Sequence, residues 1–194
     1  RYREVIETYR VEVVELPFEN GRFPEPEYFE RNDPLLAFSG IGLDNDLVNP
    51  LQMALIASAV ANGGEMPQPR LVTEVRDAQG RVAREFGPRS VGTAISGVSA
   101  AALTRMMISV VNEGSGFLAQ IPGIQVAGKT GTATNGEGRP PNAWFTAFAP
   151  AGGQQPPRIA VSVIVLDGGD LGSEATGGQV AAPIVRAVIE AYLR

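Results

Sequence analysis

The stretch that most limits the fold is residues 49–64, Asn-Pro-Leu-Gln-Met-Ala-Leu-Ile-Ala-Ser-Ala-Val-Ala-Asn-Gly-Gly. Asn49 is a good N-cap, and Pro50 suits the first helical position, where the missing N–H is not needed. Leu51, Met53, Ala54, Leu55, Ile56, Ala57, Ala59, Val60 and Ala61 leave almost no polar side, so the helix is expected to be buried all round. Asn62-Gly63-Gly64 ends it, because glycine enters the left-handed region without a Cβ penalty. Such a helix needs protein against it on every side, which calls for a layered domain.

The layers follow from the rest of the chain. Ser99 is expected to cap a second helix reaching about residue 112, with Leu103, Met106, Met107, Val110 and Val111 on one stripe. Met53, Met106 and Met107 read as core filling. Three β-rich runs come next, at residues 124–134, 143–149 and 158–166, and their connections are polar and rich in Gly and Pro, so the strands are read as antiparallel. A long helix over residues 178–193, with Val180, Ile184, Val185, Val188, Ile189 and Tyr192 at helical spacing, is expected to cover the sheet. Residues 71–76 and 81–86 flank Asp77-Ala78-Gln79-Gly80 and read as a hairpin.

Near the start, Tyr2, Val5, Ile6 and Tyr9 fit one face of a helix. Residues 16–34 carry four prolines and read as an extended loop held by Phe18, Phe23, Tyr28 and Phe29. The fold class is α+β, an antiparallel sheet covered by helices.

Composition then removes most chemistries. There is no Cys and no His, which excludes disulfides, thiolate or imidazole metal sites, Cys nucleophiles and the Ser-His-Asp triad. The formal net charge of −5 argues against a nucleic-acid surface, so any anion site must be local. No apolar run approaches the ~20 residues of a membrane helix. No cofactor and no metal are called for.

Lys129-Thr130-Gly131-Thr132 is the motif that carries chemistry, and Lys129 is the only lysine in the sequence. On a strand, Lys129 supplies a compact positive charge, and Thr130 and Thr132 send hydroxyls to one face because side chains alternate. Gly131 between them lets another backbone come close. Such a strand can bind a peptide carboxylate, and an extended peptide can add to it as a further strand. The plainer alternative is a solvated lysine between residues of high β-propensity.

Trp144 has two readings, a ring stacking on a ligand above the strand or a packing residue of the sheet. Arg139, in the Gly/Pro-rich connection, reads as a solvated charge.

A KTG triplet on a strand is a signature of penicillin-binding proteins and serine β-lactamases. Around it, the residues 49–64 helix resembles the TPLQMA…ANGG helix of the high-molecular-weight transpeptidases. Val-Ala-Gly-Lys-Thr-Gly-Thr-Ala at 126–133, Asn-Ala-Trp-Phe-Thr-Ala-Phe-Ala-Pro at 142–150 and Thr-Gly-Gly-Gln-Val-Ala-Ala-Pro-Ile at 176–184 follow in that family's order. From about Phe38 to Arg194 the chain resembles the C-terminal part of the transpeptidase domain of class B penicillin-binding proteins, most like the penicillin-binding protein A type of actinobacteria.

The resemblance implies a penicillin-binding/serine β-lactamase-like fold, present in part, with residues 1–194 as the C-terminal portion of one transpeptidase domain. It implies a peptidoglycan D,D-transpeptidase that cross-links D-Ala-D-Ala stem peptides through a serine acyl-enzyme and binds β-lactams. Lys129 and Thr132 would be catalytic, and Lys129, Thr130, Gly131 and Thr132 would bind substrate. It further implies extracytoplasmic action, anchorage to the plasma membrane through a segment not in this chain, and the cell-wall and division machinery as further partners.

The sequence departs from the family at two points. No SxxK can be written, since Val126 stands three residues before the only lysine, and no serine has Asn two residues later. The nucleophile and the SxN serine are therefore expected from an N-terminal segment of the same domain, and this chain alone is expected to be inert. Gly40-Ile-Gly-Leu-Asp-Asn-Asp46 also differs from the family's Gly-Ile-Gly-Gln stretch. The alternatives are a carboxypeptidase or β-lactamase-like hydrolase, in which water replaces the acceptor amine, and a non-catalytic recognition module for β-lactams or peptidoglycan.

Overall fold

The computed structural model describes residues 21–30, 32–43, 45–134, 136–153 and 155–194. The helix expected at residues 2–9 lies outside them.

Pro50 opens helix α3, Pro50–Ala61, and the Asn49 side chain accepts from the Gln52 backbone N–H at 2.9 Å. The Gln52 carbonyl reaches back to the Asn49 N–H at 3.1 Å, completing a reciprocal cap. Gly63 and Gly64 take φ of 67° and 105°, as the ending requires. Leu55, Ala57, Ala59 and Val60 are buried, but Leu51 and Ile56 remain 37% and 46% exposed. The expectation of burial all round is thus corrected: α3 presses one broad face on the sheet and leaves the other open.

Two short helices precede it, α1 Pro26–Phe29 and α2 Asp33–Ser39. Both carry a proline in the first turn, a position that favours helix, so Pro26 and Pro34 of the expected extended loop start helical turns instead, while residues 16–20 and 31 of that loop lie outside the described residues. Three of its four aromatics do pack, the Phe29 ring lying 5.8 Å from Phe23 and 5.2 Å, edge-on, from Tyr28, while Phe18 lies outside the described residues.

Strand β1, Glu65–Pro67, pairs with β4, Ser90–Thr93, and between them β2, Glu74–Arg76, pairs with β3, Val82–Glu85, as the expected hairpin. Helix α4 spans Gly97–Asn112, and its N-cap is Ser96 rather than Ser99: the Ser96 hydroxyl accepts from the Ser99 N–H at 3.1 Å. On α4, Ala100 and Val111 are buried, with Met107 and Ile108 packed beside Ala57 and Val60. Leu103 and Met106 are exposed, so the expected stripe is rotated and Met106 does not fill the core.

The central sheet is β5, Ala127–Ala133, β6, Asn142–Ala149, and β7, Ile159–Val165, antiparallel in that order. Antiparallel alternation splits β6 between two cores. Phe145, Ala147 and Ala149 meet Ala181, Ala182, Val185 and Ile189, while Phe148 and Ala127 meet Ala57, Val60 and Ala151 of the α3 side.

After β7 come irregular turns at Leu166–Glu174, a π-turn at Gly177–Ala181 and helix α5, Ala182–Leu193. The buried line of this closing segment runs through Ala181, Ala182, Val185 and Ile189; Ile184, Val188 and Tyr192 are exposed. Two alanines carry half of the inner face, so the buried line is narrower than the spacing of the large apolar residues implies. No helix among the described residues is long and apolar enough to cross a membrane.

Candidate functional site

Among the described residues, β5 is an edge strand, paired only with β6 in its sheet. Register sets Lys129 opposite Thr146, Thr130 opposite Phe145, Gly131 opposite Trp144 and Thr132 opposite Ala143. Alternation sends Lys129 and Gly131 to the face toward α3, and Thr130 and Thr132 together to the other face. The two hydroxyls share a side as expected, while the ammonium must reach the threonines around the strand edge. Lys129 is exposed, and its Nζ donates to the Thr130 backbone carbonyl at 2.5 Å rather than to either hydroxyl.

Both hydroxyls are held from the side of α5. Thr130 Oγ1 lies 2.8 Å from Ser115 Oγ, and Thr132 Oγ1 accepts from the Gly177 N–H at 3.4 Å. The chain before α5 is pressed on the strand. A Cβ on Gly177 would stand 2.0 Å from the Trp144 carbonyl oxygen and 2.6 Å from that of Gly131, and one on Gly178 2.0 Å from the Ser115 carbonyl oxygen. Only glycine permits this approach.

On the opposite face, beneath Lys129, Thr146 is buried and shares a 2.8 Å hydrogen bond with Ser162 of β7. Trp144 is half-buried beside Gly131, neither free above a groove nor enclosed in the core. Arg139 is exposed, as expected.

Among the described residues, the site lies along a strand edge. Two concavities, of about 450 and 600 Å³, are lined by residues of α4 and of the α4–β5 connection, the second also by Arg186 of α5, and neither is lined by residues 129–132. The carboxylates held below their ordinary range, Glu65 and Asp77, lie outside β5. What β5 offers is one ammonium, two hydroxyls and a strand edge that an extended peptide can join.

Ser115, Gly177 and Gly178 were not singled out as site residues from sequence. The one local signal is that Ser115 is flanked by Gly114 and Gly116 just before the motif strand. The Gly177-Gly178 pair drew notice only as part of a family stretch.

Residues 1–190 match the family described as the penicillin binding protein transpeptidase domain. The peptidoglycan D,D-transpeptidase PbpA of Mycolicibacterium smegmatis is 42% identical over 164 residues, covering 82% of this chain and 32% of that protein. The protein of the same name from Mycobacterium tuberculosis is 42% identical over 167 residues, with the same coverage on both sides. The solved structure of penicillin-binding protein A from M. tuberculosis, a ceftriaxone acyl-enzyme complex, superposes with a TM-score of 0.85 at 34% identity, over 99% of this chain and 43% of that one. The chain therefore spans about a third of the length of the curated relatives it matches.

Proposed function

The chain belongs to the penicillin-binding protein transpeptidase family, and from that membership we propose that it is the C-terminal portion of a serine-type peptidoglycan D,D-transpeptidase domain. Its α+β layering, an antiparallel sheet with helices on both faces, is the fold of those domains.

The observation that carries the reading is the edge strand with Lys129, Thr130 and Thr132 together on it. A stem peptide ending in D-Ala-D-Ala, or a β-lactam, brings a carboxylate. Lys129 favours that charge, and the two threonine hydroxyls donate to it. The peptide lies along β5 as an added strand, and Gly131 gives it room.

A serine from an SxxK outside this sequence attacks the penultimate carbonyl and releases D-Ala, and an acceptor amine then takes the acyl group. The Thr132 backbone N–H is one oxyanion donor, a kind of group whose removal costs ~10²–10³ in rate. Lys129 sits beside the SxN serine of the same outside segment. The whole protein works extracytoplasmically, anchored to the plasma membrane by a segment not in this chain, with the cell-wall and division machinery.

Labelling with a fluorescent penicillin tests this. The chain alone stays unlabelled, and joined to the segment upstream it is labelled at a serine outside this sequence. Covalent label on the isolated chain sinks the proposal. A peptide-acceptor assay that finds cross-linked rather than hydrolysed product separates the transpeptidase from a carboxypeptidase; the names of the relatives favour the former.

A further inference from the structure

The threonines of β5 are backed by donors outside the motif. The turn after α4 is drawn tight, with the Gly116 N–H donating to the Val110 carbonyl at 2.9 Å. Each glycine flanking Ser115 sits where a side chain would collide: a Cβ on Gly114 would lie 2.9 Å from the Val110 oxygen, and one on Gly116 3.0 Å from the Phe145 ring. The turn is thereby pinned so that exposed Ser115 meets Thr130, and the Gly178 backbone closes on the Ser115 carbonyl from the far side.

A hydroxyl has one proton to give and two lone pairs to receive. Thr132 Oγ1 receives from the Gly177 N–H, so its own proton is available to another acceptor. Thr130 is in the same state when Ser115 is the donor of their shared bond. We propose that Ser115 donates to Thr130 as Gly177 N–H donates to Thr132, so that both threonine O–H groups are committed as donors to a carboxylate on β5. Ser115 is then a positioning residue that governs recognition of the ligand's carboxylate. This rests on the reading of β5 as the carboxylate-binding strand.

The test uses the full-length protein with Ser115→Ala and Ser115→Thr, and measures acylation rates by benzylpenicillin and by its carboxylate methyl ester. The expected result is a loss of up to about tenfold for Ser115→Ala with benzylpenicillin, the upper end for one neutral hydrogen bond, here the one that orients the Thr130 O–H. With the ester, Ser115→Ala matches wild type, and Ser115→Thr, which keeps the hydroxyl, matches wild type with both compounds. The inference is overturned if Ser115→Ala reacts normally with benzylpenicillin, if it slows both compounds equally, or if Ser115→Thr fails as Ser115→Ala does. Wild-type protein that takes up neither compound refutes the proposed function itself, and this inference with it.

Discussion

Gly131 and Trp144 are register partners on β5 and β6, and a Cβ on Gly131 would lie 3.1 Å from the Trp144 Cβ. That spacing is tight but not closed, because Trp144 is only half-buried and can yield by a few tenths of an ångström. Gly131→Ala is expected to cost about 1 kcal/mol, the lower end for overpacking. Gly131→Val, which must displace the indole, should cost more. Urea unfolding measures both, and penicillin acylation of the full-length protein should fall in the same order. An alanine variant as stable and as reactive as wild type would show that the close approach has no consequence.

Lys129 is exposed, and its ammonium bonds only to the carbonyl of the next residue among the contacts described. Removing it should change stability by less than ~0.5 kcal/mol, as for surface substitutions generally. If it recognises the ligand carboxylate, Lys129→Ala should slow penicillin acylation by at least ~10-fold, because a charge-assisted bond is lost. Lys129→Arg should not restore the rate fully, since a planar guanidinium does not replace a compact ammonium at a strand edge. Equal acylation rates for Lys129→Ala and wild type would count against the role.

Gly177 and Gly178 should be intolerant of any side chain. Their added Cβ atoms would stand 2.0 Å from backbone carbonyl oxygens of Trp144 and Ser115, which no rotamer change can relieve. Alanine at either position is expected to cost upward of ~3 kcal/mol, or to shift the segment off β5. Gly87, with nothing within 4 Å and no positive φ, is the matched control. Gly87→Ala should leave stability unchanged or raise it by a few tenths of a kcal/mol through the unfolded chain. Thermal unfolding of the three variants decides, and similar midpoints for all would contradict the packing.

The two candidate caps of α4 differ by three residues and can be separated. The Ser96 hydroxyl accepts from the Ser99 N–H, so Ser96→Ala should cost ~1 kcal/mol. Ser99→Ala leaves that bond in place and removes only the hydroxyl contact with Ser96 at 2.9 Å, so it should cost less. The reverse order in denaturant unfolding would return the cap to Ser99.

This small displacement illustrates what the sequence could and could not convey. Elements with strong local chemistry were legible: Asn49-Pro50 and the double glycine bound α3, Asp77–Gly80 turns the hairpin, and Gly/Pro-rich connections make β5, β6 and β7 antiparallel. Faces were less legible. Leu51, Ile56, Met106 and Tyr192 are apolar yet exposed, because hydropathy says which residues favour burial but not which side of a helix meets the sheet. The strand motif and its alternation were also readable from residue order, down to the shared face of Thr130 and Thr132. Ser115 and Gly177 were not, because their contacts to β5 are made across 15 and 45 residues of sequence. Only folding creates that juxtaposition.

Glu65 gives a pH signature that stability measurements can read away from the site. On β1 it is the register partner of Thr93 of β4, and its carboxylate accepts from the Thr93 hydroxyl and from Ser90 Oγ at 2.8 Å. The Thr93 bond first, and then the Ser90 bond, hold its ionisation below the ordinary value of 4.5, against a smaller desolvation effect of opposite sign. A depressed folded pKa means that the unfolded chain takes up the proton first as pH falls. The carboxylate's contribution is therefore full above about pH 5 and is lost as pH drops through the lowered folded value. Glu65→Gln keeps an accepting oxygen but cannot ionise. The stability difference between wild type and Glu65→Gln should be constant from pH 7 to about 5 and shrink as pH falls further, when protonation makes Glu65 neutral like the glutamine. Urea midpoints across pH 3–7 test this; a difference that widens in acid, or that stays flat to pH 3, would mean that the two hydroxyls do not favour the charged form.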